Sequence, residues 1–421
     1  MRLPQIQSEF GFQTASLFLL DGLANITDFV FHFWMGRALV PADFAILQTL
    51  NSIVLVYVTA SGVFQPVVGR FVAEARAKGQ DDSVSAIFQS FLRAAFWLGL
   101  ALGIIVFLFS DGIAQLLNLP AWTIQISAVV IFLSTLRPIP IGTLQGQERF
   151  IPFGLSRFLS AFGRLLLGVI LVHSGLALTG AVIAFPFGWL VGVFAAFTFL
   201  RKTIWKKTKP ASQVLLREGW KLTFYALLAY LAYMSLTSLD LVWVNRTLSG
   251  NLAGAYASLV VLRRVVALLP GVAVVVMFPR IAKELTAGNL PDGLLIRTAA
   301  IIIIAGGVLT MLYFIFDNPL ISIIFGRAYL PASHLLGWMG IAMIGVSLSS
   351  IWLNFYLAYQ PRNFVILLGI AVALEWLLLN LLSPSMPNAI LAFGATGWLL
   401  TLGGLSLYLF KVRPALRHAH A

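Results

Sequence analysis

Seven ionisable side chains lie in stretches otherwise apolar enough to cross a bilayer: Asp21, Asp28, Arg164, Asp240, Arg263, Arg264 and Glu375. Charge in hydrocarbon is expensive, so such residues face a bundle interior or a wet cavity, where they bind ions, relay protons or hold a charged cargo. Two chemistries are on offer. The guanidinium fork matches phosphate and carboxylate oxygens, which makes Arg263, Arg264 and Arg164 candidate cavity cations for an anionic substrate. The acids Asp28, Asp240, Asp21 and Glu375 are candidate coupling or cavity acids, with Na+ or H+ as the coupling ion. The plainer alternative is that acid and base pair and only hold helices together, and Asp240 with Arg263 or Arg264 is the obvious pair.

Spacing sharpens this. Asp21 and Asp28 are seven residues apart, with Asn25 between them, so the three form a polar stripe on one helix face. Arg263 and Arg264 are adjacent and therefore point about 100° apart. One is free for the cargo, the other for an acid. Arg93, Arg137 and Arg157 fall near span ends, where long side chains snorkel. No catalytic or metal constellation is present. The five histidines, His32, His173, His334, His418 and His420, lack ligand spacing, there is no cysteine, and there is no G-x-x-x-x-G-K-[ST] nucleotide loop.

The elements that position these residues follow from composition. The 421 residues are 60% hydrophobic and only 10% charged, against about 25% charged in a soluble domain. Runs such as Val129–Leu133, Leu165–Val172 and Ala299–Val308 lie in windows of membrane-span length. At ~35 residues per span and loop, the chain reads as an all-α integral membrane protein with about twelve transmembrane helices. They are expected at 13–35, 43–66, 88–109, 121–142, 154–174, 177–200, 219–244, 253–278, 294–315, 334–357, 363–383 and 389–410. The polar Met1–Phe12 precedes a span interrupted by Asp21 and Asp28, which argues against a cleaved signal peptide.

The net charge of +13 would suggest nucleic acid in a soluble chain; here it sorts by loop. One set of gaps holds Arg70, Arg76, Lys78, Arg149, Arg201–Arg217, Arg280, Lys283, Arg362, Lys411, Arg413 and Arg417. The alternating set holds only Arg37, Arg246 and Arg327, with Asp43, Asp111 and Asp317. Both termini are therefore expected on the cytoplasmic side, and no nucleic-acid partner is implied. No gap is long enough for an extramembrane domain, which leaves an enzyme acting in water without a platform. The basic stretch 201–218 reads as a cytoplasmic linker between an N-terminal six-helix bundle (1–200) and a C-terminal one (219–421) that ends in a short tail.

The halves look related. Asp28 aligns with Asp240, Phe44 with Tyr256, Pro66 with Pro279 after a one-residue slip, and Arg70 with Lys283. In the same register Asn51 and Ser52 match Arg263 and Arg264, so Asn51 joins Asn25 as a cavity polar residue. Such internal repeats mark transporters, and six spans per half make the repeats parallel. A cavity lined by helices 1, 2, 7 and 8 is expected.

The stretch MGRALVPADFAILQTL (Met35–Leu50), followed by GVFQPVVGRFVAEARAKG (Gly62–Gly79), resembles the bacterial polysaccharide transporters that flip lipid-linked oligosaccharides, the O-antigen flippase type. Their superfamily also contains multidrug and toxic-compound extruders and the peptidoglycan-precursor flippase. The pattern is G-R-x-L-x-P-x-[DE]-[FY], here Gly36, Arg37, Leu39, Pro41, Asp43 and Phe44; the Gly that typically follows is Ala45. The resemblance implies two six-helix bundles around a central cavity, in the bacterial inner membrane. It implies a polyprenyl-pyrophosphate-linked oligosaccharide as cargo, membrane lipids around it, and polysaccharide-assembly proteins as partners. No enzymatic step and no cofactor are expected. The rivals are a cation-coupled multidrug exporter of the same superfamily, a major-facilitator transporter, and a membrane-embedded polymerase or acyltransferase. The usual major-facilitator motif is absent from Arg70–Lys78, and the third class lacks its long outer loop and intramembrane His/Asp pair.

Overall fold

A chain that buries its backbone in hydrocarbon must satisfy every N–H and C=O within itself, and the helix does so. The computed structural model describes residues 3–201, 213–286, 290–359 and 361–418, and these form helices joined by short connections. Among the described residues nine helical stretches are long and apolar enough to cross a membrane, or ten if one bent pair counts as a span. One of the nine, Phe150–Phe199, has 50 residues, length for two crossings at ~20 residues each. Helix α1 (Leu3–Ala38) is long enough too, but its stripe of Asp21, Asn25 and Asp28 lowers its hydropathy. The protein is a multi-pass membrane protein.

The chain divides into two compact units, residues 1–39 with 57–227 and residues 40–56 with 228–421. The expected linker is largely outside the described residues, at 202–212. Residues 40–56, which hold the first part of the span expected at 43–66, cluster with the second unit. The physical reason is a backbone contact. Helix α2 (Pro41–Ser61) begins against Gly254, where a Cβ would meet the Pro41 carbonyl oxygen at 2.1 Å. Only glycine lets the two main chains approach so closely.

In the first unit α3 (Phe64–Ala77) packs on α7 (Pro138–Gly146), and α4 (Asp81–Leu108) on α6 (Ala121–Leu136). Helix α5 (Ser110–Leu117) caps the far end of α4, and α8 (Phe150–Leu171) lies between α1 and α9 (Ala177–Phe199). The α8–α9 connection turns at Gly175, whose φ of 93° favours glycine. The second unit runs from α10 (Gln213–Leu236) and α11 (Leu239–Thr247) into α12 (Gly250–Thr286). Then come α13 (Asp292–Ile315), α14 (Asp317–Ile324), α15 (Leu336–Tyr359), α16 (Pro361–Leu381) and α17 (Met386–Leu407). Helix α15 is the most enclosed, packing against α12, α13 and α17.

Candidate functional site

The site in the second unit starts from a broken helix. The span expected at 219–244 bends by 41° between α10 and α11. The residues at the break are Thr237 and Ser238, and the Thr237 hydroxyl bonds back to the Met234 carbonyl at 2.9 Å. Such back-bonding competes with the helix ladder and bends it. A break frees backbone carbonyls in a place without water, so they need donors. Arg263 supplies one, donating from Nη2 to the Thr237 carbonyl at 2.7 Å.

Asp240 lies two residues past the break and is fully buried. Arg263 forks onto it, Nη2 to Oδ1 at 3.0 Å and Nη1 to Oδ2, while the Tyr256 hydroxyl donates to Oδ2 at 2.6 Å. The guanidinium also lies 4.1 Å over the Phe393 ring, a favourable cation–π placement. Each partner of this ion pair is thereby hydrogen-bonded as well as neutralised, the condition under which a buried pair is tolerated.

Arg264 is placed differently. It donates from Nη2 to the Ser52 hydroxyl at 3.3 Å. With the Asn51 amide oriented oxygen-first, that oxygen accepts from Nη1 at 2.9 Å and from Nη2 at 3.3 Å. Both partners are neutral, and Arg264 forms no salt bridge among the described residues. It lines a cavity of about 420 Å3 together with Tyr230, Tyr233, Ser347, Ser350 and Asn354. Arg263 reaches the same cavity. Its charge is spent on Asp240; that of Arg264 is not.

Glu375 on α16 is completely buried, and neither carboxyl oxygen has a hydrogen-bond partner among the described residues. It lies within electrostatic reach of Asp240 and Arg263. The second unit thus gathers Asp240, Arg263, Arg264, Glu375 and Asn51.

The other candidates belong to the first unit. Asp28 pairs with Arg164, whose guanidinium lies 4.8 Å from the Phe31 ring and 5.1 Å from Phe185. His32 is 3.9 Å from the same carboxylate. Seven residues nearer the chain start, Asp21 pairs with Arg157, one of the arginines expected to snorkel. Asn25 is half-buried between the two acids. Arg137 lies 4.7 Å over the Trp189 ring. Asp28 and Asp240, matched in the repeat, therefore both take arginines, from different helices.

Three participants escaped sequence reasoning. Tyr256 had a signal, since it precedes Arg263 by seven residues on one helix face. Thr237 could have been found as a Ser/Thr cluster just before an intramembrane acid. Phe393 carries no signal that separates it from the other 32 phenylalanines among the 33 present.

Residues 11–284, well over half of the chain, match the family described as polysaccharide biosynthesis protein. The chain belongs to that family. Among solved structures, this family member is similar to an inward-facing multidrug resistance MATE family transporter of the MOP superfamily. The TM-score is 0.79 at 11% identity, over 95% of this chain and 96% of that one. A eukaryotic MATE transporter, AtDTX14, gives a TM-score of 0.66 at 15% identity over 97% and 98%. An outward-facing MATE family transporter gives 0.63 at 13% over 97% and 95%. Identities this low establish the shared fold: an all-helical, MATE-like membrane protein. No curated protein matches the sequence.

Proposed function

We propose that this polysaccharide biosynthesis family member is a transporter that flips a polyprenyl-pyrophosphate-linked oligosaccharide from the cytoplasmic to the outer leaflet by alternating access. The observation that carries this reading is Arg264, a guanidinium in a cavity whose hydrogen-bond partners among the described residues are all neutral. A positive charge kept in a membrane interior without a counter-ion awaits an anion, and a guanidinium fork fits phosphate oxygens. The tyrosines, serines and Asn354 beside it offer the hydroxyl and amide groups that sugars bond. The prenyl tail can stay in the bilayer throughout, so no covalent step is required. Family membership supports the same substrate class, and the location would be the bacterial inner membrane.

The rival, a multidrug exporter binding cationic compounds, needs free carboxylates. Asp21, Asp28 and Asp240 each already face an arginine. Of the four candidate acids, Glu375 alone has no arginine salt bridge among the described residues, and it is fully buried.

The test is substitution at Arg264, with lipid-linked oligosaccharide measured on each leaflet in cells. Arg264→Ala should cut flipping by roughly tenfold or more, as expected for a charge-assisted phosphate contact worth about 1.5–3 kcal/mol. Arg264→Lys, which keeps charge but loses the fork, should fall between. Wild-type flipping in Arg264→Ala at normal protein level would sink the proposal; newly acquired sensitivity to cationic dyes would favour the exporter.

A further inference from the structure

Helix α15 carries α13 and α17 side by side, and between them runs a slot of about 320 Å3. Its floor includes Ile351 and Trp352 of α15; its walls include Ile296 and Ile303 of α13, Leu405 of α17 and Leu409 just past the end of α17. All four wall residues are exposed, Ile296 to 69%. One end is polar. Asp292 accepts a hydrogen bond from Arg413 Nη2 at 2.6 Å and another from the Tyr408 hydroxyl. The Arg413 Nε is buried without a partner among the described residues, and Lys411 stands exposed two positions away.

We propose that this slot binds one acyl chain of an anionic glycerophospholipid, with the phosphate at Arg413. The site is separate from the Arg264 cavity and stands whether or not the cargo is an oligosaccharide. Water would find almost no partners along the slot, and an empty slot forfeits dispersion contacts along its whole lining. In a bilayer the filling is therefore hydrocarbon. Length selects which. Asp292 and Ile303 mark the two ends on α13, eleven residues apart, or about 16 Å along the helix. Half of a ~30 Å hydrocarbon core is nearly the same, so the slot spans one leaflet, as an acyl chain does. A polyprenyl tail is several times too long to be held this way. Charge selects the headgroup. Arg413 and Lys411 outweigh Asp292 at the polar end, and basic pockets between membrane helices recruit anionic headgroups.

The full-length protein, delipidated in mild detergent, can be mixed with dioleoyl phosphatidylglycerol or dioleoyl phosphatidylcholine and the retained lipid counted by native mass spectrometry. One phosphatidylglycerol should be held in clear preference. Arg413→Gln should lower its retention about fivefold, the contribution of one basic residue to an anionic lipid. Ala299→Trp, which fills the slot from its wall, should abolish it; should that variant misfold, the milder Leu405→Phe should lower it in part. Equal retention of both lipids, undiminished phosphatidylglycerol in the slot-filling variants, or a co-purified polyprenyl species displaced by them would each overturn the proposal.

Discussion

Asp240 and Glu375 are two buried acids within electrostatic reach of each other, and among the described residues only Asp240 has a hydrogen-bond partner. The difference sets opposite expectations for removing their charge. Asp240 is bonded by Arg263 and Tyr256, and Arg263 in turn holds the broken helix at Thr237. Asp240→Ala would strand a buried guanidinium, and breaking such a pair costs about 3–5 kcal/mol. The Asp240→Ala, Arg263→Ala double variant should recover part of that loss, because no unpaired charge is left. Glu375→Gln keeps the shape and removes a carboxyl group that no described residue hydrogen-bonds, so it should unfold at the wild-type temperature or above. Thermal unfolding in detergent reads all three; a large loss in Glu375→Gln would mean that Glu375 has a partner that matters. Much of this cluster was legible in residue types, since an intramembrane Asp needs an Arg. The choice of Arg263 over Arg264 was not. It depends on the rotation of α12, and adjacent residues give no preference until the helix is docked.

At the scale of elements, the repeat register made Asn51 and Ser52 the equivalents of Arg263 and Arg264 and said nothing of a contact between them; in the structure α2 brings both residues against Arg264. The bend at Thr237–Ser238 was less legible, because apolar residues on both sides read as one span. Helix α9 shows how packing serves a charge in the first unit. At Gly188 a Cβ would meet the Cβ of Arg164 and the Ser160 carbonyl oxygen, both at 2.7 Å. The Ser160 hydroxyl donates to the Gly188 carbonyl at 2.8 Å, so α8 and α9 are joined where Arg164 leaves its backbone. Gly188→Ala should therefore push the helices apart and cost about 1–3 kcal/mol as overpacking. The strain falls on the Asp28–Arg164 pair, so flipping should drop more than the protein level does. An unchanged melting temperature in Gly188→Ala would show that the two helices can shift freely, and would detach Arg164 from this packing.

For the whole molecule, the long apolar runs mark the helices and the loop charges give their direction. Arg37 closes α1 and Arg246 lies near the end of α11, whereas Arg76 lies near the end of α3 and Arg149 precedes α8. Lys and Arg in short loops are retained on the cytoplasmic side, and the bias sets orientation. The richer set includes Arg201, Lys202, Lys206, Lys207, Lys209 and Arg217; the poorer set has three arginines in all. A reversed orientation would require moving all of that charge across the bilayer. Both termini should then be cytoplasmic, with the Ser249 connection outside. The absence of cysteine makes this measurable without background. Ser249→Cys, at an exposed position between α11 and α12, should react in intact cells with a membrane-impermeant maleimide. Thr208→Cys, outside the described residues, should react only after the membrane is opened. Labelling of Thr208→Cys from outside, with Ser249→Cys protected, would invert the topology. The flipping direction proposed for the Arg264 cavity would have to be redrawn with it.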